Sequence, residues 1–275
     1  MFIAIVGAIL IVACVVLLLM RRSRQAKLFE IMSTESSTAQ QLAESAKYVA
    51  ERMGETGSFN KITELKGTIG CDAPLTSEMS KQPCVFYSTS ITRDYEETYW
   101  ETDSQTKQQV QRTRRNTEKV AGTTQSVGFW VEDPTGKVSV NPEGADVDAM
   151  QVVDRFQPGE LGVGNGLVNL GDFTINIGGL TIGPSARTRV LGYRFRESVL
   201  PLGRKVYVLG EATDKTGQLA VGMPGQKGHK FLISLKSEEE LIRSTGSAIR
   251  WMLASAIGSG LAGLVLIVMG LKTLW

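Results

Sequence analysis

Two uncharged apolar runs, one at each end, constrain everything between them. Phe2 to Met20 reads FIAIVGAILIVACVVLLLM, and Trp251 to Leu271 reads WMLASAIGSGLAGLVLIVMGL. The first run has 19 residues. At a helical rise of ~1.5 Å per residue it covers ~28 Å, close to the ~30 Å hydrocarbon core of a bilayer. The second is two residues longer and lies between Trp251 and Trp275, where interfacial indoles are favoured. A cleaved signal peptide places its cations before the apolar run, but here Arg21, Arg22, Arg24 and Lys27 follow it. A core helix of a soluble protein seldom goes so long without a charge. The chain therefore reads as a two-pass integral membrane protein with transmembrane helices 2–20 and 251–271 in a lipid bilayer. The flanking cations, which include Arg243 and Arg250 before the second run, predict both termini outside and residues 21–250 in the cytoplasm.

A formal charge of +2 gives no electrostatic case for a nucleic-acid partner. The chain has three cysteines: Cys14 within the first span, and Cys71 and Cys84 between the spans. Those two can pair in an oxidising compartment and stay as thiols in a reducing one.

Between the runs, residues 21–57 read as a juxtamembrane helix. Leu42, Ala46, Val49 and Met53 line one of its faces, which packs on the domain or on a neighbouring copy. From Asn60 the period shortens. Ile62 to Cys71, Cys84 to Trp100, and the strands on either side of Asp133-Pro-Thr-Gly136 carry β-branched and aromatic residues. Further strands run over 188–200, 205–213, 218–223 and 230–235. Asp103 to Lys107 reads as a hairpin tip. Many strands on short turns, without helices between them, predict one mainly antiparallel β domain over 60–236, either a sheet or a partly closed barrel. Within it, 159–184 is a glycine-rich insertion of low charge. Its alternating Phe173, Ile175 and Ile177 suit an edge strand, a hairpin or a self-association element. Ser237 and Glu240 form a capping-box pattern that opens a connecting helix, 237–250, into the second span.

Chemistry is sparse. Gly162-Val-Gly-Asn-Gly166 lacks the following Gly-Lys-Ser/Thr of a phosphate loop. His229, the single histidine, sits in a loop with no serine or cysteine marked as its partner. No zinc spacing occurs, so no catalytic residue, metal or cofactor is expected. An enzyme would need perturbed acids near Asp94, Glu96 or Glu132. Arg112, Arg114 and Arg115 face the acidic stretch Asp94 to Asp103. Cross-strand pairing explains them, and with Arg93 and Tyr95 they form the candidate interaction surface. In the second span Ala254, Gly258 and Ala262 recur every fourth residue, a spacing that lets helices pack closely. Their neighbour is either the first span or another copy.

The segments Leu65 to Glu96, Phe129 to Asp148, Leu191 to Ala212 and Phe231 to Ile242 together resemble the GIDE, or beside-a-membrane, domain of the mitochondrial ubiquitin ligase activator family. The likeness is greatest to its bacterial, particularly cyanobacterial, members, which implies a plasma or thylakoid membrane. The family implies two spans around one β-rich domain. In its eukaryotic members ligase activity rests on a zinc-binding RING after the second span, and only four residues follow Leu271 here. The expectation is thus a RING-less, non-enzymatic scaffold that binds a membrane or membrane-proximal protein. Two alternatives stand beside it: a component of a ubiquitin-ligase-like or proteolytic pathway, and a self-assembling homo-oligomer. In the mitochondrial members the domain lies between two membranes, whereas the charges here point inward.

Overall fold

Apolar residues without a charge leave the backbone to satisfy itself, and both ends of the chain do so as helices. The computed structural model describes residues 2–53, 57–102, 108–159, 167–169, 174–176, 188–226 and 228–272. In chain order its elements begin with helices α1 (Phe2–Ser33) and α2 (Ala39–Met53). Strands β1 (Asn60–Gly70), β2 (Leu75–Thr76), β3 (Pro83–Thr102), β4 (Gln109–Ala121) and β5 (Thr124–Ser126) follow. Next come β6 (Phe129–Asp133), β7 (Gly136–Val140), β8 (Asp146–Asp148), β9 (Met150–Pro158), β10 (Leu167–Asn169) and β11 (Thr174–Asn176). The chain closes with β12 (Thr188–Pro201), β13 (Lys205–Thr213), β14 (Ala220–Gly222), β15 (Leu232–Ser234) and helix α3 (Glu238–Lys272). They divide into two compact units. One holds residues 1–66, 144–146 and 206–275; the other holds 67–143 and 147–205.

In the first unit, α1 and α3 pack on each other, and both are long and apolar enough to span a membrane. A Cβ on Gly7 would lie 2.7 Å from Ile267 Cγ1 and 2.8 Å from the Gly263 carbonyl oxygen, so the backbones approach too closely for side chains. The α3 residues buried along this seam are Ala256, Gly263 and Gly270. Ala254, Gly258 and Ala262 point elsewhere and are exposed. The small-residue face that neighbours the first helix is therefore the adjoining one, offset from the expected positions. A Cβ built on Gly260 would lie 4.0 Å from Cys14 Cβ, inside the ~3.5–4.5 Å range of disulfides. Gly260→Cys is thus expected to form an intramolecular disulfide with Cys14 under mild oxidant, read by electrophoretic mobility and intact mass. Recovery of free thiols alone would contradict the pairing.

The helix expected through 21–57 is broken at 34–38. Ser and Thr side chains offer the backbone alternatives to helix. Thr34 Oγ1 donates to the Glu30 carbonyl at 2.8 Å, and Ser37 N donates to the Glu64 carbonyl at 2.9 Å. Thr38 and Gln41 then form a reciprocal capping box that starts α2: Gln41 N donates to Thr38 Oγ1 at 3.3 Å, and Thr38 N to Gln41 Oε1 at 2.9 Å. Leu42 and Ala46 are buried, as the predicted stripe requires, while Met53 is 68% exposed. A core of Ile31, Tyr207, Leu209, Leu232 and Leu241 gathers α1, β13, β15 and the first turns of α3.

Glu64 is 1% exposed within this unit. Tyr207 Oη donates to it at 2.5 Å and Ser36 Oγ at 3.0 Å, with Lys66 Nζ at 3.8 Å and Glu238 beyond. Burial raises its carboxyl above the ordinary value of 4.5, against the two hydroxyl hydrogen bonds, which lower it. A carboxyl with a raised folded pKa contributes stability below its unfolded pKa, and that share is lost as pH rises through the folded value. Wild type is therefore expected to lose stability relative to Glu64→Gln as pH increases upward from 4.5. Denaturation midpoints of both proteins across that interval test this; parallel curves would refute it.

The second unit is built on β3 and β12. All their registered pairings are antiparallel, as the short turns predict. β12 lies between β3 and β9, while β2, β5 and β4 succeed one another along the far edge of β3. The opposite faces of the strands alternate in burial. Ile91, Tyr193 and Phe195 form a core with Met79 and Val190. Ser90, Thr92, Arg194 and Arg196 lie on the face that keeps solvent contact. The predicted hairpin at Asp133 forms between β6 and β7, with Asp133 Oδ1 accepting from Thr135 N at 2.7 Å and Gly136 N at 3.0 Å. Part of the glycine-rich segment forms the antiparallel β10–β11 pair, with Ile175 opposite Val168. Phe173, Ile177, the Gly162–Gly166 run and the tip 103–107 lie outside the described residues. Cys71 and Cys84 are both free thiols.

Candidate interaction surface

β3 is rich in β-branched and aromatic residues, and it outruns its neighbour β12. Its pairing with β12 ends at Glu97, whereas β4 accompanies it to Thr102. Among the described residues the outer part is therefore a two-stranded arm, whose stability rests on cross-strand side-chain pairs. Register sets those pairs: Glu96 opposes Arg115, Glu97 opposes Arg114, and Tyr99 opposes Arg112. Arg114 Nη2 lies 2.7 Å from Glu97 Oε2, and Arg115 Nε lies 3.0 Å from Glu96 Oε1. Arg112 reaches diagonally to Glu101 at 2.6 Å, and Arg93 pairs with Glu118. Arg93 and Arg114 also lie over the rings of Tyr95 and Tyr99, at 5.3 and 5.5 Å from the centroids. Of the five candidate residues, Arg112 lies on this arm, while Arg93, Tyr95, Arg114 and Arg115 lie at its base, where β12 still pairs with β3; each guanidinium is already paired.

With each arginine facing a carboxylate, this surface presents alternating charge and not an excess of one sign. Exposed ion pairs add little to stability, so Arg114→Ala is expected to leave the denaturation midpoint nearly unchanged, with no change of fold. A marked drop in the midpoint would mean that the pair is part of the core.

The acids proposed for an enzyme are spoken for on surfaces. Asp94 accepts from Thr117 Oγ1 at 2.7 Å, Glu96 holds Arg115, and Glu132 lies 3.5 Å from Lys137. His229 faces Glu30, Nδ1 to Oε1 3.1 Å. Among the described residues no cluster of three metal-ligating side chains occurs.

Sequence reasoning missed a second charged patch. On the solvent face of β12, Arg194 and Arg196 share Asp154 at 2.9 and 3.5 Å, and Arg194 stacks over Phe156 at 5.8 Å. The hydrogen bond from Arg194 holds the Asp154 carboxyl below the usual range. The alternation Arg194-Phe-Arg196 was the available signal.

Two long apolar end helices around an antiparallel β body, with a charge-laced arm, define a class of helix-flanked β proteins. The GIDE family model, described as E3 ubiquitin ligase, matches residues 97–268, from the arm through most of α3, and the chain belongs to the GIDE family. The match begins later than the resemblance seen from Leu65. The family description points to a ubiquitin-ligase-associated function. No curated protein and no solved structure matches the chain.

Proposed function

We propose that the chain is a membrane-tethered interaction module of the GIDE type, which contributes binding and scaffolding and not transfer chemistry. The observation that carries this reading is the α1–α3 pair. The helices lock together through Gly7 and Gly263, and their outward faces carry exposed Ile9, Val12, Leu261 and Leu264. In water such faces would be a liability; in lipid they are the solvent-facing side. Arg21, Arg22, Arg24, Arg243 and Arg250 follow or precede the apolar runs, in support of a two-pass topology with residues 21–250 in the cytoplasm. Held at both ends, the arm meets partners confined to the plane of the membrane.

A photo-crosslinker at Tyr99 in native membranes tests the proposal. The expected result is an adduct of defined mass that disappears when Arg112, Arg114 and Arg115 are replaced together by alanine. Absence of any adduct, or one indifferent to those substitutions, counts against the arm as the surface. Cysteine accessibility on intact cells decides the side. The family description favours a second reading, that the module serves a ubiquitin-ligase-like or proteolytic assembly; an adduct with a conjugating or proteolytic component would support it.

A further inference from the structure

Beside α1, just past the end of its apolar run, a cleft of about 550 Å³ opens in the first unit. Its lining includes Phe29, Glu30, Glu35, Lys61, Ile62 and His229. Gly228, at φ +110°, turns the chain so that His229 and Lys230 come back onto α1. There Glu30 Oε1 takes His229 Nδ1 at 3.1 Å and Lys230 N at 2.8 Å. The Glu30 side chain is only 11% exposed.

The charges in this cleft are of both signs. His229 Nδ1 faces Glu30, and its ring lines the cleft. Glu35, with its side chain 86% exposed, stands at the mouth, and Phe29 is 73% exposed. Two carboxylates and an open aromatic face are groups that hold an ammonium. Lys61 adds the opposite sign. Its Nζ donates to Ser37 Oγ at 3.2 Å and lies 3.8 Å from Glu35 Oε2, which leaves donor capacity for an anionic oxygen. An ammonium and a phosphate on one small ligand would meet complementary groups.

Position allows two sources. Ala26, the first lining residue, is six residues beyond Met20. That is ~9 Å along the helix, just outside a headgroup layer of ~5–8 Å, so the cleft is open to a free ligand as well as to the tip of a headgroup. We propose that this cleft binds an ammonium–phosphate zwitterion of the phosphoethanolamine type, free or carried on a lipid. The lipid source rests on the proposed anchoring; the recognition chemistry stands without it.

The chain's single histidine makes the test direct, because its ring gives one set of imidazole signals. Full-length protein in detergent is titrated with O-phosphoethanolamine, with inorganic phosphate and ethanolamine as controls. The same signals are then read in nanodiscs with and without phosphatidylethanolamine, and co-flotation with liposomes reports anchoring separately. A saturable shift with O-phosphoethanolamine, weakened at least about tenfold by Lys61→Met and by Glu35→Gln, supports the cleft; tenfold corresponds to ~1.4 kcal/mol. The same shift in phosphatidylethanolamine nanodiscs supports the lipid source. A shift in detergent but none in those nanodiscs overturns the lipid source and keeps the chemistry. No saturable shift in either medium, or a shift that both variants retain, overturns the proposal. Should Lys61→Met fail to fold, Glu35→Gln, at the exposed mouth, decides alone.

Discussion

Replacement of Glu197 by alanine is expected to destabilise the second unit by ~3 kcal/mol or more. Glu197 is fully buried in the middle of β12. Its carboxylate accepts from Met79 N at 2.6 Å, from Ser80 N at 2.9 Å and from Ser80 Oγ at 2.5 Å. Alanine leaves the Met79 and Ser80 amides without that partner, while Ser80 Oγ keeps Ser77 Oγ at 2.8 Å, and each orphaned buried donor costs ~1–3 kcal/mol. The turn they hold also positions Met79, 2% exposed, in the core with Ile91, Tyr193 and Phe195. Glu197→Gln keeps one acceptor but turns an amide NH₂ toward donors, so it is expected to recover only part of the loss. Equilibrium denaturation of the full chain measures both. Cys84 gives a second readout. Burial, followed by the nearby Glu197 charge, pushes its thiol up to about 11. In Glu197→Ala the thiol is expected to alkylate faster under native conditions. A variant within 1 kcal/mol of wild type, with Cys84 equally protected, would refute this account.

What could be read in the sequence followed how local the cause was. The end helices were legible because a long uncharged run needs no tertiary information. The β6–β7 hairpin was legible because Asp133 and Gly136 act on their own turn. The charge pairing was legible as well, since Glu96, Glu97 and the arginines opposite belong to strands that follow one another in sequence and pair directly. The break between α1 and α2 had a local signal, Thr38-x-x-Gln41, which the continuous helical pattern around it obscured. The buried carboxylates were not legible. Glu64 and Glu197 sit in strands where an acid ordinarily faces water, and the groups that hold them lie far away in sequence: Tyr207 is 143 residues from Glu64, and Met79 is 118 from Glu197. Alternation can say that a strand has two faces, but not which face a distant hydroxyl or turn will close over.

The same limit applied inside the apolar runs, and there it yields the second large effect. Every fourth residue of α3 is small on more than one face, so periodicity alone could not choose the face that meets α1. Gly7→Leu is expected to disrupt the helix pair, because even its Cβ would lie 2.8 Å from the Gly263 carbonyl and 3.0 Å from Ile267 N, backbone atoms that cannot swing aside. Overpacking of this kind costs ~1–3 kcal/mol and more where backbone must move. In a Gly260→Cys background the disulfide to Cys14 gives the readout, and its yield is expected to fall severalfold with Gly7→Leu. Gly258→Leu is the matched control on the other face. Nothing lies within 4 Å of a Cβ there, and Ala254 and Ala262 beside it are exposed. Within one chain it should leave the disulfide yield unchanged. If that face instead meets a second copy, Gly258→Leu lowers the mass of the detergent-solubilised protein without touching the disulfide. Equal loss of disulfide in both variants would mean that the small residues of α3 act on helix stability in general, and the assignment of faces would fall.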